Sequence, residues 1–141
     1  MVTLLIGKKG SGKTKRLIEE ANIAVKESNG SVVVVEKDKT LTYTLTYKAR
    51  LVTTDDFKIN GYEALYGFLC GMCAGNYDIK DIFVDSTFKI AGEDRNDSKK
   101  FVDFINKLNN LAEEADTSIT LLISASKDEL PSDLNATLEE M

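Results

Sequence analysis

Residues 2–14 read Val-Thr-Leu-Leu-Ile-Gly-Lys-Lys-Gly-Ser-Gly-Lys-Thr, and this stretch decides the fold of the chain. Its first five residues are apolar or β-branched, which is typical of a short buried strand. From Lys13 to Ser28, apolar residues recur at helical spacing, and Asn29-Gly30 then ends the pattern. The stretch therefore predicts a buried strand, a tight glycine-rich turn and a helix.

The turn in this unit, Gly7 to Thr14, fits the phosphate-loop pattern G-x-x-x-x-G-K-[ST] at every fixed position. Glycines let consecutive backbone N–H groups point inward at phosphate oxygens, where a side chain would block the approach. We expect Lys13 to lie along the β- and γ-phosphates and the Thr14 hydroxyl to ligate Mg²⁺. The predicted nucleotide-binding residues of the loop are Gly7, Lys8, Lys9, Gly10, Ser11, Gly12, Lys13 and Thr14.

With this loop placed between a strand and a helix, the chain resembles the P-loop NTPase superfamily. The resemblance implies an acidic residue at the C-terminal end of a later apolar strand, the Walker B position. Ile82-Phe83-Val84-Asp85 supplies such a strand. Asp85 is therefore expected to hold Mg²⁺ together with Thr14, because Mg²⁺ prefers oxygen ligands. The alternative interpretation of Asp85 is an ordinary strand-end acid at a turn.

Strands and helices alternate along the rest of the chain. The β-branched run at 31–36 predicts a strand buried on both faces, and the alternation of Leu and Tyr with Thr at 41–47 predicts a half-exposed strand near an edge. Further strands are predicted at 50–53, 82–85 and 118–124, and helices at 62–74 and 101–115. We predict one α/β domain over residues 1–141, a three-layer sandwich with a mostly parallel sheet and the P-loop NTPase fold that the resemblance implies.

The order of these elements is similar to that of the RecA-like or ASCE branch of the superfamily. In that branch, the final strand inserts between the loop strand and the Walker B strand and offers a polar residue to the γ-phosphate. Ser124 fits this place at the end of the last apolar strand, with Ser126 as a second choice. A serine that only satisfies turn backbone groups is the competing interpretation.

The residue after Asp85 departs from that branch, which commonly has a glutamate there to polarise the attacking water. Ser86 occupies the position, and its hydroxyl is not a general base at neutral pH. RecA-type members place the glutamate at the end of the strand after the loop helix, where Glu36 lies. Glu36 is thus the candidate catalytic base beside Lys13, and a solvated charge in Glu36-Lys37-Asp38-Lys39 is the alternative.

Three functions remain open at this point, and they differ in the fate of the γ-phosphate. The first is slow ATP hydrolysis by a switch or minimal motor subunit, with an arginine supplied by a neighbour, for which Arg50 and Arg95 are better candidates than Arg16. The second is a nucleotide-binding scaffold that does not hydrolyse ATP, and the third is a nucleoside or nucleotide kinase. ATP is the expected base, because Ser126-Lys127-Asp128 lacks the spacing of the guanine-reading Asn-Lys-x-Asp.

Composition limits the partners of the chain. A net charge of −5 argues against a broad basic face for nucleic acid, and no apolar run approaches the roughly 20 residues of a membrane span. We expect a cytoplasmic protein whose partners are a nucleotide and an unknown protein or further copies of itself. Cys70 and Cys73 form a C-x-x-C spacing, but no other Cys and no His exists to complete a zinc site, so buried helix cysteines are predicted.

Overall fold

The computed structural model describes residues 1–39, 46 and 48–141. Their strands form one sheet in which all neighbouring strands are parallel, in the order β3-β2-β4-β5-β1-β6. The strands are β1 (Thr3–Gly7), β2 (Ser31–Glu36), β3 (Arg50–Thr53), β4 (Ile79–Val84), β5 (Ser118–Ser124) and β6 (Thr137–Glu140). The predicted, mostly parallel sheet is therefore entirely parallel among the described strands.

Four α-helices accompany the sheet in the described part of the chain. They are α1 (Lys13–Glu27), α2 (Tyr62–Gly75), α3 (Thr87–Ala91) and α4 (Ser98–Ala115). Single 3₁₀ turns follow β3, α3 and β5, at Thr54–Phe57, Gly92–Asn96 and Lys127–Glu129. Among the described residues, no helix has both the length and the apolar composition that crossing a bilayer requires.

Helices cover both faces of the sheet, which gives the three layers predicted from the alternation of elements. On one face, α1 buries Leu17 and Ala21 against apolar strand residues that include Val34. The other face carries the larger apolar cluster, to which α2 contributes Leu65 and α4 contributes Ile105. The central strands are enclosed between these layers, which explains why β2 is a continuous run of valines.

The strand order brings four separate segments to one edge of the sheet. β5 lies between β1 and β4, the position expected for the last apolar strand, and Gly7 at the end of β1 is in register with Ser124 at the end of β5. On the other side of β4, Val84 is in register with Val35 of β2. The chain segments that leave these four strands therefore start side by side.

Three features of the structure differ from the sequence predictions. The sequence did not predict the helix α3 or the strand β6. The first has five residues and the second is a half-exposed Thr-Leu-Glu-Glu, and both are too short to show a helical or strand period. The two cysteines lie on α2 as predicted, but only Cys73 is buried, and Cys70 is partly exposed. Residues 41–45 and 47 of the strand predicted at 41–47 lie outside the described residues, so that strand stays a prediction.

Candidate functional site

The loop from Gly7 to Thr14 connects the end of β1 to the first turn of α1. Gly10 and Gly12 have φ angles of +85° and +93°, in the left-handed region that residues with a Cβ rarely adopt. Gly12 directly precedes α1, and within the loop Ser11 N donates to the Lys8 carbonyl at 3.1 Å. The two glycines therefore supply the backbone conformation that turns the strand into the helix.

The Lys13 side chain folds back into this loop. Its ammonium donates to the carbonyl oxygens of Gly7 at 2.8 Å and Lys8 at 2.9 Å, and the residue is only 8 % exposed. Burial lowers the pKa of Lys13, whereas the nearby negative charge of Asp85 raises it. The loop thus holds a partly desolvated cation next to a carboxylate.

Asp85 follows β4 at the same edge of the sheet. Its N–H donates to the Val35 carbonyl at 2.8 Å, so the pairing between β4 and β2 continues one residue beyond the strand. The next N–H, of Ser86, donates to Asp85 Oδ1 at 2.8 Å and fixes the carboxylate. Ser86 has a φ of +56°, an uncommon conformation for a residue other than glycine, directly beside the site.

The electrostatic environment of Asp85 joins it to the loop. Burial raises the pKa of Asp85, and four neighbours act in the opposite direction: the Ser86 N–H, the Lys89 and Lys13 ammonium groups, and the Thr14 hydroxyl. The Thr14 hydroxyl therefore faces the Asp85 carboxylate, which brings together the two residues predicted to ligate the metal.

A Thr14 and Asp85 pair suits Mg²⁺ better than a metal that needs a full set of protein ligands. Across the described residues, no group of three or more His, Cys, Asp or Glu side chains is arranged to hold a metal ion. Mg²⁺ usually takes one or two carboxylates and completes its shell with water and phosphate oxygens. A hydroxyl and one carboxylate beside a phosphate-type loop fit that requirement.

Glu36 is the last residue of β2, and it is 1 % exposed. The interpretation of Glu36 as a solvated charge is therefore wrong. The physical reason is that β2 lies between β3 and β4, with Glu36 in register with Thr53 on one side. The rest of the charged run is at the surface, where Lys37 and Lys39 make ion pairs with two aspartates at 3.1 and 3.6 Å.

The two serines proposed for the γ-phosphate contact are placed differently. Ser124 is exposed and in register with Gly7, so it borders the loop. Ser126 is engaged in a capping box, in which its N–H and hydroxyl both donate to Glu129 Oε1, at 3.1 and 2.9 Å. The geometry therefore favours Ser124 over Ser126.

The basic side chains differ in their relation to the site. Arg16 pairs with Glu20 at 3.3 Å and Glu139 at 2.8 Å, and Arg50 begins β3, at the end of the sheet opposite the loop. The positive charge of Lys89 lowers the pKa of Asp85, and Lys89 is not among the residues predicted for the site. A helix of five residues after the Asp85 strand gave no periodic signal to find it.

The predicted residues Lys13, Thr14, Asp85, Glu36 and Ser124 thus lie on neighbouring segments at the carboxyl edge of the sheet. Ligands of open α/β sheets bind at this edge. The chain matches no protein-family model, and no curated protein is similar to it at a significant level. The functional argument therefore depends on the geometry of the site.

Proposed function

We propose that the chain is a Mg²⁺-dependent ATP-binding protein of the P-loop NTPase type, in the RecA-like or ASCE branch, and a slow ATPase that acts as a switch or minimal motor subunit. The observation that carries the proposal is the convergence of Lys13, Thr14 and Asp85, which supply a buried cation, a hydroxyl and a carboxylate at one end of a glycine-rich loop. A phosphate group suits the cation, and Mg²⁺ suits the hydroxyl and the carboxylate.

Binding would use the loop in two ways. The glycines let backbone N–H groups approach the phosphates, and the ammonium of Lys13 would exchange its carbonyl contacts for phosphate oxygens. Thr14 and Asp85 are the residues that would hold Mg²⁺, which supplies positive charge against the β- and γ-phosphates. ATP is proposed as the nucleotide because the chain lacks the guanine-reading pattern.

Hydrolysis would depend on Glu36. In this step, a water oxygen attacks the γ-phosphorus, the bond to the β-phosphate oxygen breaks, and Glu36 accepts a proton from the water. The burial of Glu36 beside the Asp85 strand supports this role, because a buried carboxylate is held in one place. Ser86, at the position where a glutamate is common, supports slow turnover.

A non-hydrolysing nucleotide-binding scaffold is the second candidate. The backbone at Ser86 favours it, because the residue next to Asp85 is held in a left-handed conformation and carries no carboxylate. A slow ATPase and a scaffold would bind the same ligand, and they differ only in whether phosphate is released.

The test is a titration of the chain with ATP, ADP and GTP, with and without Mg²⁺, combined with a phosphate-release assay. We expect ATP binding that Mg²⁺ strengthens and phosphate release slower than typical enzyme turnover. No binding of ATP in the presence of Mg²⁺ would exclude both candidates. Binding without any phosphate release would leave the scaffold.

A further inference from the structure

A cavity lies beside the candidate nucleotide site, since Ser124, which is in register with Gly7 of the loop, is one of its lining residues. Its volume is about 300 Å³, at the lower limit of small-molecule sites. The cavity lies between α3, the turn before α4 and the first turn of α4 on one side, and the end of β5 with the segment that follows it on the other. The lining residues that matter here are Phe88, Arg95, Ser98, Phe101, Ser124 and Glu129.

The cation in this cavity has no partner in the described part of the chain. No ion pair or hydrogen bond joins the Arg95 guanidinium to any described residue, whereas Arg16 makes two ion pairs. The exposed Ser124 hydroxyl likewise makes no hydrogen bond to a described residue. A guanidinium presents several donors in a planar fork that matches carboxylate and phosphate groups. The pair is therefore suited to an anion.

Two further lining residues bear on the kind of ligand, the aromatic Phe88 and the acidic Glu129. The ring of Phe88 meets the buried ring of Phe101 edge to face, with centroids 5.5 Å apart, and the partly exposed Phe88 offers a surface for a flat apolar group. Glu129 is held by the two hydrogen bonds from Ser126, and its carboxylate would accept a bond from a ligand donor. The Glu129 carboxylate would repel a second anionic group at the other end of the ligand.

We propose that this cavity binds a small organic anion, a carboxylate or phosphate monoester attached to a flat apolar group, with its charge on Arg95 and Ser124. Because Ser124 is in register with Gly7, the bound anion would lie next to the γ-phosphate end of the nucleotide. The position of the anion next to a γ-phosphate rests on the proposed function, whereas binding in the cavity does not. The site is a place for a second substrate or an effector of the nucleotide site.

The test uses phenyl phosphate and phenylacetate as probes and benzyl alcohol as the neutral control, measured by calorimetric titration. We expect both anions to bind, and Arg95→Gln to weaken binding about 10- to 150-fold, the loss typical of a hydrogen bond to a charged group. Arg50→Gln is the matched control, because it removes the same charge at the opposite end of the sheet. It should leave both affinities unchanged. Comparison of the two probes distinguishes a phosphate site from a carboxylate site.

Three results would overturn the proposal. The first is that neither anion binds, and the second is that benzyl alcohol binds as tightly as the anions. The third is that the wild type and Arg95→Gln have the same affinity for the anions and the same melting temperature. Phenyl phosphate binding that is lost in Lys13→Ala and kept in Arg95→Gln would place the anion in the loop instead. If ATP fails to bind while Arg95 still controls phenyl phosphate affinity, the proposed function is wrong and the cavity site stands.

Discussion

The ammonium of Lys13 donates a hydrogen bond to the carbonyl of Gly7 over 2.8 Å, so the helix α1 is tied back to the end of the strand β1. A second hydrogen bond, to the Lys8 carbonyl, encloses the amine within the loop. Phosphate oxygens are stronger acceptors for an ammonium than these neutral carbonyls. Lys13 is therefore placed where a polyphosphate would compete for its hydrogen bonds.

Lys13→Ala should weaken ATP binding about 30- to 150-fold, since a charge-assisted phosphate contact contributes about 2–3 kcal/mol. Lys26→Ala, in the last turn of the same helix, removes the same charge far from the loop and should leave the affinity unchanged. Equilibrium titration with ATP and Mg²⁺ measures both variants. Equal affinities in two folded variants would contradict the role of Lys13.

Asp85→Asn should remove the Mg²⁺ dependence of nucleotide binding and leave metal-free binding largely intact. The reason is that Asp85 is proposed to contact the metal, whereas the loop contacts the phosphates. Asp81→Asn makes the same change near the start of the same strand and is the matched control. A magnesium titration in the presence of nucleotide measures the Mg²⁺ dependence of each protein. Superimposable curves for wild type and Asp85→Asn would mean that Asp85 is an ordinary strand-end acid.

Turnover by the isolated chain should be below about 1 s⁻¹, because one subunit contains no assured arginine finger. Glu36→Gln should lower it about a hundredfold or more, the size expected for loss of a general base. Glu19→Gln, on the exposed face of α1, is the control. Phosphate release under single-turnover conditions measures the rates. An unchanged rate in Glu36→Gln would mean that another group activates the water.

Asp94 should make stability depend on pH on the acid side. Its carboxylate accepts a hydrogen bond from the Tyr62 N–H at 3.1 Å and pairs with Lys100 at 3.2 Å, and these contacts lower the pKa of Asp94 in the folded state. Its contribution is therefore present above the unfolded pKa, about 3.9, and lost as pH falls through the lower folded value.

Asp94→Ala should accordingly be less stable than the wild type at neutral pH, and the difference should shrink below about pH 4. Asp103→Ala, at an exposed position of α4, is the control and should show no such trend. Thermal melts across a pH series measure the effect. A stability difference that stays constant down to the acid limit would show that Asp94 acts through packing and not through its charge.

The sequence by itself determined the local units of this protein. The spacing of glycines, Lys13 and Thr14 predicts the loop, and the apolar periods predict β1, α1, β2, β5 and the strand before Asp85, all of which the structure contains. These features can be predicted because a strand period, a helix period or a motif spacing depends only on residues close along the chain.

Tertiary structure alone decided which of these residues meet. The burial of Glu36 follows from its place between β3 and β4, and the position of Ser124 beside Gly7 follows from the insertion of β5 next to β1. The influence of the Lys89 charge on the Asp85 carboxylate depends on a helix too short to leave a pattern. Such proximities arise from pairing between segments distant along the chain, and periodicity along one segment carries no information about its partner.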